Sequence, residues 1–248
     1  TIVFSEAVSG FSSDDDVTVQ NGSLATMTSS DNITWTGTFT PSSDVEDATN
    51  VLTLATSYTD TAGNAPASTS TTDNYTVDTT AATVVAFTLS DSALKIGDTA
   101  TVTLQFSEAV SGFSSDDDVT VQNGSLATMT SSNNITWTGT FTPSSDVEDA
   151  TNVMTLATSY TDTAGNAGPS ATTANYQVDT VRPTVAAFTM SDTALISGET
   201  STVTLQFSEA VASFSSDDDI TVQNGSLATM TSSDNITWTG TFTPTSDV

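Results

Sequence analysis

The 248-residue chain carries 30 Asp and Glu against 2 Lys and Arg, with no His and no Cys, for a formal charge of −28. Phosphate backbones are held by Lys and Arg, and anionic lipid surfaces attract basic segments, so nucleic acid and direct membrane insertion are excluded as partners. Without His or Cys, without a Ser beside a base, and with only two cations to steady developing negative charge, the chain has no catalytic candidates and reads as a non-enzyme.

At the start of the chain, Thr1-Ile2-Val3-Phe4 reads as the middle of a strand, so the sequence is expected to be a portion of something longer. Phe-Ser-Glu-Ala-Val recurs at 4–8, 106–110 and 207–211, and Trp35, Trp137 and Trp238 share the same spacings of 102 and 101 residues. The one-residue difference falls between Asn64 and Tyr75, in a loop, where length changes are tolerated. Such a period is too long for solenoid repeats of roughly 20–50 residues and matches one immunoglobulin-like sandwich of about 100. The expected domains are a repeat at 1–79 lacking its first strands, a complete repeat at 80–180, and a repeat at 181–248 lacking its last strands.

Seven strands are expected in the complete repeat. The first spans 84–90, with Val85, Phe87 and Leu89 on one face; the second spans 101–107, with Val102, Leu104 and Phe106 inward. A third strand at 119–122 ends at Asn123-Gly124, a tight-turn pair, and a fourth returns over 126–130. The fifth, 135–142, alternates most clearly, with Ile135, Trp137, Gly139 and Phe141 against four Thr, which places Trp137 in the core. Strands at 153–160 and 175–179 complete the set, and no useful length shows helical periodicity. The fold class is therefore all-β: tandem seven-stranded immunoglobulin-like β-sandwiches, end to end.

Strand parity sorts the acids to the poles of each sandwich. Glu108, the run Asp116-Asp117-Asp118 and the Asp162…Asn166 pair are expected at the N-terminal pole, and Asp91, Asp98, Asp146, Glu148, Asp149 and Asp179 at the other. Stacked pole to pole, the first repeat's Glu46, Asp47 and Asp78 face Glu108, Asp162 and Asn166 of the next. Crowded carboxylates without a cation repel one another and take up protons. Ca²⁺, which accepts about 6–8 oxygen ligands in flexible geometry, resolves this; a donor set without His or Cys disfavours zinc and copper. The candidate ligands are Asp78, Glu108, Asp162 and Asn166, with Asp47, Glu46, Asp179, Glu209, Asp149, Glu148, Asp91 and Asp98. The corresponding first-repeat residues Glu6, Asp60 and Asn64 complete the set.

The motifs FSEAVSGF, DDVTVQNGSL, ITWTGTFTP, SYTDTAGNA and YTVDT, in this order, resemble bacterial Ig-like repeats that build the extender regions of giant RTX adhesins. The resemblance implies secretion to the cell surface and a long tether stiffened by Ca²⁺ at domain junctions, with the adhesive target bound by other domains of the parent protein. The arrangement is also similar to cadherin, in which an Asp-x-x-Gly loop and a linker Asp clasp ions between sandwiches. Carried onto this chain, that implies Asp78 and Asp179 as linker ligands and Asp60 and Asp162 as loop ligands. The second linker runs to Pro183 where the first has Ala82, which predicts a first junction that is more flexible or that relies more on metal. A structural spacer whose partners are its own neighbouring repeats is the leading expectation; the alternative is a carbohydrate- or ice-binding module.

Overall fold

Alternating Thr and apolar residues suit a half-buried pleated surface and poorly suit a helix, and the computed structural model is accordingly 42% strand and 5% helix. It describes residues 1–246. Two compact units emerge: residues 1–144 with 149–178, and residues 145–148 with those from 179 onward.

The first unit contains the most fully formed sandwich. One layer is a four-stranded sheet in the order Val84–Leu89, Ala100–Phe106, Thr136–Pro143, Gly124–Leu126. Leu104 faces Trp137 and Val102 faces Gly139 across an antiparallel ladder. Short strands make the opposing layer. Ala93–Lys95, Tyr176–Asp179 and Glu148–Asn152 form one group, and Val119–Thr120, Thr155–Leu156 and Ala171–Thr172 another. Between the layers Phe141 meets Tyr176 and Phe106 meets Tyr160, each pair with ring centroids 5.2 Å apart. Burial lifts the Tyr160 hydroxyl pKa to about 12, helped by the charge of Asp118. Trp137 packs at 4.9 Å against Phe113, as core. Its indole N–H, like those of Trp35 and Trp238, is buried without an acceptor.

The second strand has the expected faces: Val102, Leu104 and Phe106 are buried. The first strand does not. A bulge between Val84 and Ala86 shifts the register, so Val85 is 60% exposed while Phe87 is 6% exposed. An inserted residue flips the alternation, and nothing in VVAFTL marks where it falls. The expected long strands at 119–122, 126–130 and 153–160 are also shorter than the pattern suggests, or broken into pieces.

The triple-Asp run is a single helical turn, Ser115–Asp118, that leaves Asp116 and Asp117 exposed. Asp118 is 3% exposed. Its carboxylate accepts the Ser114 N–H at 2.8 Å and the Ser159 hydroxyl, and its carbonyl accepts the Ala157 N–H. A buried carboxylate without a counter-cation persists only when hydrogen-bond donors meet it in this way. Asp117 points to solvent, and Asp116 accepts the Thr128 hydroxyl. The Asn123-Gly124 turn works likewise: Asn123, at φ +50°, donates to Asp149 at 2.8 Å and to buried Asn152 at 2.6 Å.

In the second unit Val203, Leu205 and Met230 form a smaller core beneath Phe207, Phe214, Trp238 and Phe242. Ser213 stands there at φ +64°, at the position Gly112 fills in the preceding repeat at φ +75°. A left-handed conformation costs a non-glycine residue about 1 kcal/mol. Ser213→Gly is expected to stabilise that unit by about this amount, measured as slower hydrogen exchange in Ser201–Phe207, while exchange in Ala100–Phe106 stays unchanged.

Candidate metal centre

The site is built on the TDTAGN loop. Asp162 ends the short strand Thr161–Asp162, which pairs with Val110–Ser111 and so brings Glu108, two residues before that strand, to the same edge. Gly165 supplies the left-handed turn at φ +99°, a conformation open to glycine. The loop closes over one carboxylate oxygen: Asp162 Oδ1 accepts the N–H groups of Ala164, Gly165 and Asn166 at 2.8–2.9 Å. Asp162 Oδ2 accepts the Asn166 amide at 2.7 Å. The side chain is 1% exposed.

Onto this loop comes the linker from the first repeat. Tyr75–Asp78 is the last strand of that repeat, and Thr79 anchors it by donating its hydroxyl to Ser42 O and its N–H to Val45 O, both at 2.8 Å. Ala82, where the other linker has Pro183, is 1% exposed; this linker is held by packing. Ligand atoms of Asp78, Glu108 and Asp162 lie within 4.8 Å of one another, and among the described residues no other trio of His, Cys, Asp or Glu converges this closely.

A second feature lies at the same place. Asn166 Nδ2 is surrounded by four oxygens: Asp162 Oδ2 at 2.7 Å, Asp78 O at 3.3 Å, Thr80 O at 3.4 Å and Asp78 Oδ1 at 3.5 Å. The amide nitrogen stands where oxygen lone pairs from the linker and the loop meet.

The electrostatics agree with the crowding. Burial, then the charges of Asp162, Asp78 and Glu46, push the Glu108 carboxyl above its ordinary 4.5. Burial also works to raise Asp162, but the donors on Asn166, Gly165 and Ala164 outweigh it and hold the carboxyl below 3.8. Two acids at one site are therefore driven in opposite directions, because only one is wrapped in N–H groups.

Of the ligands expected at this first junction, Asp78, Glu108, Asp162 and Asn166 gather and Asp47 does not; the others, Glu46 aside, belong to other poles and repeats. Glu46 is near enough to act on Glu108. Asp47 and Asp149 instead bind the N–H groups of Thr49 and Thr151 and the amides of Asn21 and Asn123, bracing turns. Asp91 accepts the Ala93 N–H, and Asp98 pairs with Lys95 at 3.3 Å. Glu148 is exposed at the start of Glu148–Asn152. In the first repeat, Asp60 and Asn64 repeat the loop, with Asn64 donating to Asp60 at 2.7 Å, and they line one recess with Glu6. In the second unit Glu209 is half-buried after Ser201–Phe207, and Asp179 is exposed at the end of Tyr176–Asp179. Thr80 was not anticipated, since a backbone carbonyl leaves no mark in a sequence.

A family model described as "Bacterial Ig-like domain" matches residues 1–77, 78–178 and 179–248. The chain belongs to the bacterial Ig-like domain family. A search of curated proteins finds no match. Bacterial Ig-like domains commonly occur in surface proteins, and among the described residues no helix is long and apolar enough to cross a membrane. In this bacterial Ig-like chain, the second matched segment opens at Asp78, the linker residue of the acid cluster.

The pKa directions set a pH dependence for the metal-free chain. The raised Glu108 makes protonation favour the folded junction, a contribution full below 4.5 and lost as pH rises through its higher folded pKa. The depressed Asp162 stabilises above 3.8, and that contribution is lost as pH falls through its lower folded pKa. Carboxyl ¹³C NMR titration should find Glu108 titrating above 4.5 and Asp162 below 3.8. Asn166→Ala, which removes the side-chain donor to Asp162, should move the Asp162 titration upward.

Proposed function

We propose that this chain is a spacer segment of a secreted bacterial surface adhesin, in which Ca²⁺ bound between consecutive Ig-like repeats stiffens the tether. The observation that carries the reading is the convergence of Asp78, from the linker of one repeat, with Glu108 and Asp162, from two loops of the next. Three carboxylates held this close without a cation repel one another, and of the chain's two basic residues Lys95 is paired with Asp98.

The residues fit a hard divalent cation. Carboxylates of Asp78, Glu108 and Asp162 and the carbonyls of Asp78 and Thr80 are all oxygen donors, as Ca²⁺ takes in sets of about 6–8. Asn166 would join by turning its amide, presenting Oδ1 where Nδ2 now sits among four oxygens. Bound there, the ion supplies the positive charge that the chain lacks and crosslinks two repeats in a protein without cysteine. The chain's own residues do the positioning: the TAGN backbone fixes Asp162, and Thr79 fixes Asp78. Smaller, strictly octahedral Mg²⁺ suits such a multi-carboxylate cage less well.

Thermal unfolding and calorimetric titration of the chelator-treated chain test the reading. Ca²⁺ should bind and raise the melting temperature, with about 2.7 kcal/mol of stabilisation at a hundredfold excess over Kd. Asp162→Ala and Glu108→Gln should each abolish most of the effect; Glu108→Gln leaves the loop hydrogen bonds of Asp162 in place, so its loss isolates the metal contribution. An unchanged melting temperature in Ca²⁺ and in chelator would overturn the proposal.

A further inference from the structure

The two basic residues have different neighbours on the C-terminal side. Arg182 precedes Pro183. Proline has no N–H and its ring fixes φ, so a protease that cuts after Lys or Arg cannot seat that bond. Lys95 precedes Ile96, making Lys95–Ile96 the one peptide bond in the 248 residues open to such an enzyme. The third repeat has Ile196 at the position of Lys95 and offers no counterpart.

The fold presents this bond at a surface turn. Lys95 ends the strand Ala93–Lys95, and Gly97 at φ +86° reverses the chain toward Ala100–Phe106. The Lys95 side chain is 78% exposed, and its ammonium group is engaged only at the surface, by Asp98 at 3.3 Å. Ile96, an apolar side chain, is 44% exposed. Exposed turn tips between strands are where chains are nicked most readily.

We propose that Lys95–Ile96 is a processing site for a serine protease of trypsin specificity, and that the cut leaves the repeat assembled. In the step itself, water adds across the bond between the Lys95 carbonyl carbon and the Ile96 nitrogen. Lys95 ends as a carboxylate and Ile96 as a free amine, with no other reactant consumed. The segments 1–95 and 96–248 stay joined by the fold. Val84–Leu89, on the first, is paired with Ala100–Phe106, on the second, through Phe87 opposite Leu104 and Leu89 opposite Val102. Phe87 and Leu94 remain in the core, and the Gln177 N–H still donates to Ser92 O at 2.8 Å. Cleavage would thus replace covalent continuity of the array at one point by a strand ladder, a joint that separates under load or denaturant and otherwise holds.

Limited digestion of the full native chain with trypsin tests this, read by mass spectrometry and by size-exclusion chromatography before and after denaturant. The expected result is a single cut giving 1–95 and 96–248, which co-elute in native buffer and separate in denaturant. Lys95→Gln, a change on an exposed side chain, should remain uncut under the same conditions. The proposal is overturned if the native chain survives trypsin that cuts the denatured chain, if Lys95→Gln is cut as fast as the parent, or if the native fragments separate without denaturant.

Discussion

With thirty carboxylates and two cations, internal salt bridges can neutralise only a small part of this protein's charge. Almost every acid must be solvated, wrapped in hydrogen-bond donors, or matched by an ion from outside. The fold uses the first two openly. Asp118 is buried on donors from Ser114 and Ser159, Asp149 is braced by Thr151 and Asn123, and Asp162 is closed over by three backbone N–H groups. Hydrogen bonds to a charged acceptor are stronger than neutral ones, so these acids act as local architects of turns as much as sources of charge.

The junction between the first two repeats is where donors run short. Asp162 has its own set, but among the described residues no donor offsets the burial and acidic neighbours of Glu108, which push its carboxyl pKa up. The nearest thing to a cation is the Asn166 amide, a dipole among four oxygens. An amide partly compensates one carboxylate; a divalent ion would compensate three. The proposed calcium site is the remaining means of satisfying the same constraint.

Scarcity of basic residues has a second consequence along the chain. A surface almost free of Lys and Arg offers little to proteases that read those side chains, so the single exception at Lys95 stands out, placed at an exposed turn. One compositional bias thus bears on both the electrostatics of the junction and the places where the backbone can be opened.

The sequence by itself determined the repeats, the all-β class and the core face of 100–106. These rest on exact recurrence and on a two-residue side-chain period that needs no knowledge of neighbours. It also placed Asp78, Glu108, Asp162 and Asn166 among its candidates, because strand parity sends the two loops to the pole that faces the preceding linker. Tertiary structure alone decided the rest. The bulge at Val85 depends on how the partner strand is registered, and the inward turn of Asp118 depends on donors about 40 residues away in sequence at Ala157 and Ser159. It also separated Asp47, Asp149 and Asp98, which brace turns, from the acids that converge, since an Asp beside a turn looks the same in sequence whether its partner is a local N–H or a distant carboxylate. The carbonyl of Thr80 belongs with these, because every residue has a carbonyl and only the path of the backbone says where it points.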